Sequence, residues 1–295
     1  MKAVTITVIA KMTSNYSEGL GNIGSVQKVF KKGQVYAMRS RESLKNAIMV
    51  QSGMYDDLQT SVDGATQKFV SEEVNAANNR ALEGGYMNTK GKFTYVRKSA
   101  FYLTDAIACN PFVNETRFHN NLYLATNYAE ANNLNLQDRE NAKKTGLMPY
   151  QYEYDKSDKI YSLTIDLDMI GKDENFDTEE ASAQEKADRV NSILDAVQNL
   201  SLVVRGNLDN AEPIFVIGGL SDRKTHYFEN VVSVKGSRFH ITEDLKSKLA
   251  EGFSCGLLQG DNFDNEEEMV RELNPQSVND FFVELKNKVN QYYGV

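Results

Sequence analysis

Residues Asn15–Met49, NYSEGLGNIGSVQKVFKKGQVYAMRSRESLKNAIM, offer two incompatible folds. Their first half holds a G-x-G-x-x-G made by Gly19, Gly21 and Gly24. A dinucleotide fold needs that turn directly after the first strand and at the opening of a helix, where free N–H groups meet the pyrophosphate. Here Lys11–Glu18 separate Gly19 from the β-prone run Val4–Ala10, and the residues after Gly24 alternate rather than wind. No acidic residue is placed to hold a ribose. The nicotinamide-oxidoreductase reading therefore gives way to a flexible glycine loop.

The second half ends in Ser40-Arg41-Glu42-Ser43-Leu44-Lys45. Ser40 is a good N-cap, with Leu44, Ala47 and Ile48 at helical spacing behind it. Such a start offers N–H, hydroxyl and cationic donors to a phosphate; a capped helix with a solvated basic face has the same pattern. Lys28–Lys45 carries six basic residues, Arg39 among them, against Glu42 alone. Gly84–Thr104 carries Lys90, Lys92, Arg97 and Lys98 and no acid. The whole chain is acidic, with a formal net charge of -8, which speaks against nucleic acid taken in bulk. A ligand meets the local field, however, so an acidic protein with a basic groove fits the composition.

Outward from this stretch the chain reads as an α+β core with excursions. Val4–Ala10 is a strand, and Ile160–Met169 alternates as a half-buried one, with Ser162, Thr164, Asp166 and Asp168 on its solvent face. Ala183, Ala187, Val190, Leu194 and Val197 mark an amphipathic helix. Leu200–Val204, Phe215–Ile217 and Val231–Val234 are strand candidates. Val278, Phe281, Phe282, Leu285 and Val289 mark a closing helix. Asn110–Leu147 is rich in asparagine and reads as an inserted, partly mobile segment. This order suits a single ferredoxin-like domain over residues 1–295. Cys109 and Cys255 are far apart, as in a reducing cytosol. No run is long enough for a membrane span, so a soluble, cytoplasmic protein is expected.

Tyr86–Lys98, YMNTKGKFTYVRK, interleaves aromatics with cations. An RNA-stacking strand has this character, and so does an exposed hairpin with aromatic cross-strand pairs. Catalytic signals are weak. His119, His226 and His240 show no metal-ligand spacing, and no Walker loop, H-E-x-x-H or G-x-S-x-G occurs. Asp166 and Asp168 read as solvated acids, and Gly218-Gly219 as a turn or a close backbone approach. No cofactor and no metal is expected.

Asn15–Ile23 followed by Val35–Ile48 resembles the DevR-type Cas proteins of type I CRISPR systems, especially type I-B. These are the seventh Cas family, the repeated backbone of the Cascade surveillance complex. The resemblance continues through Leu82–Met87, Arg97-Lys98-Ser99, Asp105-Ala106-Ile107 and Tyr161–Met169, and covers most of residues 1–170. It implies an RRM-like palm with a finger-like excursion at 53–100 and a thumb-like insertion at 103–147. It implies a non-catalytic subunit that oligomerises along CRISPR RNA and supports guide pairing with target DNA. Its partners would be CRISPR RNA, target DNA through the guide, copies of itself and other Cascade subunits, in antiviral defence. Carried over, Ser40, Arg41, Ser43 and Lys45 are RNA-backbone contacts. Met87 packs beside a displaced base, and Phe118 or His119 is the wedge. Arg39, Lys90, Lys92 and Arg97 complete the basic set. The alternative is an RRM-like CRISPR RNA-processing endonuclease, with His226 or His240 near Gly218-Gly219.

Overall fold

The computed structural model describes residues 2–16, 23–204 and 206–295. Gly19 and Gly21 lie outside the described residues, and Gly24 ends the two-residue strand Ile23–Gly24. The main sheet comprises β1 (Ala3–Thr13), β2 (Lys28–Lys31), β3 (Gln34–Arg39), β4 (Phe101–Leu103) and β5 (Ala106–Ala108). It continues with β6 (Lys156–Asp166), β7 (Pro213–Ser221), β8 (Ser254–Leu257) and β9 (Gln276–Ser277). Their order is β9-β8-β7-β1-β6-β5-β3-β2, and β4 also pairs with β6. The described helices are α1 (Arg41–Gln51), α2 (Leu122–Ala131), α3 (Arg139–Lys144), α4 (Ala183–Gln198), α5 (Glu243–Leu249), α6 (Glu266–Leu273) and α7 (Val278–Tyr293).

β1, α1, β5, β6, α4 and β7 follow one another as β-α-β-β-α-β. Their strands lie in the order β7-β1-β6-β5 with every neighbour antiparallel. Alternation along β1 sends Val4, Ile6, Val8, Ala10 and Met12 to one face, where they meet three helices. α1 supplies Leu44, Ile48 and Met49; α4 supplies Val190, Ile193, Leu194 and Val197; α7 supplies Phe281, Phe282, Leu285 and Val289. Each helix starts where a serine hydroxyl accepts an early amide: Ser40 from Ser43, Ser182 from Glu185, Ser277 from Asp280.

The other face of the sheet departs from expectation. Ser162, Thr164 and Asp166 are buried, although their alternation reads as a solvent face. The chain after β7 folds back over them. Thr225 O accepts from Thr5 Oγ1 (2.9 Å) and Thr164 Oγ1 (3.0 Å), Thr7 and Ser162 share a 2.7 Å hydroxyl bond, and Lys224 pairs with Asp166. Asp166 is thus an ion-paired buried acid and not a solvated one, while Asp168 is exposed and accepts from Tyr292 OH at 2.6 Å. Beyond this polar stripe a second apolar cluster forms, with Phe215 and Ile217 of β7 against Phe228, Phe239, Leu245, Met269 and Leu273. Of Val231–Val234 only Val234 is extended, in the short pair Val234–Lys235 with Arg238–Phe239. Gly218 and Gly219 are within β7, opposite Ile6 and Thr5, and not in a turn; Gly218 serves a close backbone approach to β1, and Gly219 faces the Phe253 ring.

Two excursions leave this core. The first holds the hairpins Thr60–Asp63 with Ala65–Lys68 and Tyr86–Lys90 with Phe93–Arg97. Gln67 clips them together by exchanging bonds with Thr89 N (2.8 Å) and Thr89 O (2.7 Å). The second leaves after β5 and returns at β6. It carries the antiparallel pair Glu115–His119 with Tyr150–Tyr154, and α2 and α3 between them. Ala106–Ala108, inside the sequence-based span 103–147, belongs to the main sheet as β5.

Candidate nucleic-acid interface

The start of α1 is built tightly. Ser40 N donates to Asn15 Oδ1 (2.8 Å), Ser43 N to Ser40 Oγ (3.3 Å) and Arg41 N to Asp105 Oδ1 (2.8 Å). Some of the N–H groups expected to meet a phosphate are therefore already bonded inside the chain. What the helix start presents outward is the Arg41 guanidinium, which is exposed and pairs with Glu42 at 2.8 Å.

Arg39 and Arg97 do not reach the surface. Arg39 is buried and donates to Thr13 O (3.1 Å) and Ser43 Oγ (2.9 Å), and burial holds its pKa below the usual arginine value. Arg97 is buried against Glu83 (2.9 Å) and donates to Lys172 O and Met169 O at 2.9 Å each. Both residues read as surface cations by type; Arg39 instead ties β3 to β1 and α1, and Arg97 ties the first excursion to the core. Lys45 is half-buried, with Nζ 2.8 Å from Gly84 O and from Ser99 Oγ and 4.6 Å from the centre of the Phe101 ring.

Lys45 thereby binds α1 to the base of the 86–97 hairpin. Along that hairpin Met87 stands opposite Val96 and Lys90 opposite Phe93. Met87, Lys90, Lys92, Phe93, Val96 and Lys98 are all exposed, and none of these lysines has an ion-pair partner among the described residues. The YMNTKGKFTYVRK stretch is thus a hairpin that also displays cations and apolar groups together.

On the second excursion Phe118 and His119 point to opposite faces. Phe118 is 59% exposed. His119 instead stacks on Tyr150, with 5.6 Å between ring centres, and its Nε2 is 2.9 Å from Tyr152 OH. Arg117 lies 3.3 Å over the Tyr154 ring. This aromatic row was not singled out in the sequence; its signal is the period of two in Tyr150-Gln151-Tyr152-Glu153-Tyr154.

With this geometry in view, the family model described as CRISPR-associated negative auto-regulator DevR/Csa2 matches residues 4–235. The chain belongs to the DevR/Csa2 family. Two solved structures share the fold of this DevR/Csa2 chain over 98% of its length and 99% of theirs. One, titled "CRISPR RNA-guided surveillance complex, pre-nicking", has 10% identity and a TM-score of 0.62. The other, titled "CRISPR RNA-guided surveillance complex", has 14% identity and a TM-score of 0.55. No curated protein matches.

The histidines of this DevR/Csa2 chain are separately placed. Thr164 Oγ1 lies 3.0 Å from Thr225 O and 2.9 Å from His226 Nδ1, so His226 is tied to β6 through a hydrogen bond with that hydroxyl. Burial lowers the pKa of His226. His240 N donates to Ser233 O. Among the described residues no group of His, Cys, Asp and Glu is arranged to hold a metal, and no helix is long and apolar enough to cross a membrane.

Lys45 and Lys68 bracket the same turn, Lys68 Nζ donating to Ala81 O (2.7 Å) and Gly85 O (3.0 Å). Burial, then repulsion from Lys68, pulls Lys45 down to about 8; burial, then Arg97, does the same to Lys68. Each ordinarily titrates near 10.5. Between about pH 8 and 10.5 the unfolded chain therefore binds more protons at these two sites, and their contribution to stability rises with pH across that window. Above about pH 9 it is opposed by the buried thiols Cys109 and Cys255. Chemical denaturation at pH 7.5, 9 and 10 should show the pair adding about 1–2 kcal/mol, allowing for partial exposure. The Lys45→Met/Lys68→Met variant should lose that rise; an undiminished rise would assign it to other groups.

Proposed function

We propose that this chain is a non-catalytic CRISPR RNA-binding backbone subunit of a type I, and specifically type I-B, surveillance complex. It assembles with copies of itself and other Cascade subunits along the guide and supports guide pairing with target DNA in the cytoplasm. The observation that carries this reading is a concentration of exposed cations, the unpaired Lys90, Lys92 and Lys98 among them, beside exposed apolar side chains on an acidic chain of this family. Arg41 stands at the start of α1, and Lys45 joins that helix to the hairpin that presents Lys90, Lys92 and Met87. The strand order β7-β1-β6-β5 supports an RRM-like palm, the 53–100 excursion a finger, and the excursion between β5 and β6 a thumb. Phe118, with its ring exposed, is the better wedge; His119 is engaged with Tyr150 and Tyr152. The titles of the structurally similar complexes, RNA-guided surveillance assemblies, fit this reading.

Lys45 is unsuited to a binding test, because removing it also frees Gly84 and Ser99. The triple variant Arg41→Glu/Lys90→Glu/Lys92→Glu changes only exposed groups. Fluorescence anisotropy with single-stranded RNA at 50 mM salt should show at least about tenfold weaker binding. The thermal midpoint should stay within about 2 °C of the parent, as for surface changes. Parental affinity in a folded triple variant would remove this site assignment.

A further inference from the structure

We propose that the RNA path does not stop at α1. It crosses beside Arg41 and Leu103 and continues on the opposite side of the sheet, along a groove rimmed by Lys31, Lys32 and Lys235. This rests on the RNA-binding reading above and gives the Lys31 and Lys32 end of the basic run a place beside Lys235, which neither the sequence motifs nor the family resemblance assigns.

Three observations support the continuation. The first is connectivity. A hollow of about 290 Å³ beside Lys45 and Ser99 and a larger groove of about 630 Å³ share Arg41 and Leu103 as walls. A strand lying at α1 has an open way onto the other face. The second is charge. Lys31, Lys32 and Lys235 are exposed and have no ion-pair partner among the described residues. Of the acids lining the groove, Asp105 already caps α1, which leaves Glu229. Apart from the hairpin lysines, several exposed cations on this acidic chain are matched, as in Arg223–Glu251 and Lys288–Glu284. The lysine rim is therefore a positive strip, the field that steers and holds a polyanion.

The third observation is rigidity. Lys32 and Gly33 both have positive φ, 51° and 77°, at the turn between β2 and β3. Asparagine is the easier residue at such a site, and lysine bears a backbone cost there. The turn nevertheless carries a cation. Lys235 is equally fixed: Asn110 Nδ2 donates to Gly236 O (2.8 Å) and Gly236 N donates to Asn110 Oδ1 (2.9 Å). That clip ties the Lys235 turn to the chain just beyond β5, while β3, the partner of β2, pairs with β5 itself. The floor mixes the partly exposed Thr104 and His226 with Ile107 and Ile160, so it offers polar as well as apolar contact to a sugar–phosphate chain.

The test uses the full chain, the Lys31→Ala/Lys32→Ala/Lys235→Ala variant, and single-stranded RNAs of graded length. With long RNA, the slope of log affinity against log salt should fall by about 2, from roughly 0.7 per phosphate contact on a single strand. Affinity for long RNA at 50 mM salt should drop at least about tenfold, while the shortest RNA that the parent binds should lose little. Parental slope and affinity on long RNA would overturn the proposal, as would equal losses on short and long RNA. Absence of RNA binding by the parent protein would instead sink the functional reading beneath it.

Discussion

Replacing Glu83 by alanine is expected to destabilise the fold by about 3–5 kcal/mol, the usual cost of removing one partner from a buried ion pair. Glu83 sits in the short turn Arg80–Gly84 and has no exposed surface. One carboxylate oxygen accepts from Arg97 at 2.9 Å; the other accepts from Arg189 at 2.8 Å and Gly171 N at 2.7 Å. Arg189 of α4 goes on to Ala76 O (2.6 Å) and Glu185 (2.7 Å). One acid thus joins the Tyr86–Arg97 hairpin, α4 and the turn after β6. Without it, two guanidiniums stay buried, Arg189 with Glu185 as its one remaining acid beside the Ala76 and Ala77 carbonyls, and Arg97 with carbonyls alone. Urea unfolding measures the loss directly. A change under about 1 kcal/mol would mean that the charges find water and that the network does not hold the hairpin to the core.

Gly218→Ala is expected to cost at least about 3 kcal/mol, through overpacking against main chain that has no room to retreat. A methyl built on Gly218 falls 2.0 Å from Thr5 O and 2.8 Å from Ile6 Cα, both in β1. The obstacle is backbone of the central strand, so no rotamer change relieves it. The glycine also has φ of 152°, a conformation that side-chain-bearing residues rarely adopt. The comparison is Gly33→Ala: nothing lies near its Cβ, so only its positive φ of 77° should register, at about 1 kcal/mol. Thermal unfolding of the two variants should separate them clearly; equal shifts would refute the clash.

What could be read from the residues differs by element, for physical reasons. α1, α4 and α7 are legible because their apolar spacing matches a helix that buries one face, and Ser40 marks a start by its own chemistry. β1 is legible as a strand, but its double burial is not. Thr5, Thr7, Ser162 and Thr164 look like a solvent face, because alternation cannot show that Thr225 brings a carbonyl to meet them. Arg39 and Arg97 are misplaced by sequence for a related reason. Residue type reports charge and not surroundings, and a guanidinium matched by a carboxylate or carbonyls is at home inside. The three tyrosines at 150, 152 and 154 carried a strand signal that went unused, because their meaning depends on His119 and Arg117 from 31 or more residues away. Arg41 and Lys90 stand where a ligand reaches them, whereas Lys45, from the same motif, spends its donors on Gly84 and Ser99.

The central place of β1 also says how the chain must fold. Ala3 pairs with Asp166 on one side and Ser221 on the other. Each ladder closes a loop of well over a hundred residues, so little of the sheet forms from local contacts. Folding is then limited by the search for distant partners, in the slow regime of high contact order. Until β6 and β7 arrive, Val4, Ile6 and Val8 lack the neighbours that bury them. A strand so apolar, with both edges unpaired for that interval, is a template for association with other chains. The main sheet is therefore most exposed to aggregation while its second half is still absent, and a fragment ending before β7 should be found in aggregates and not in solution.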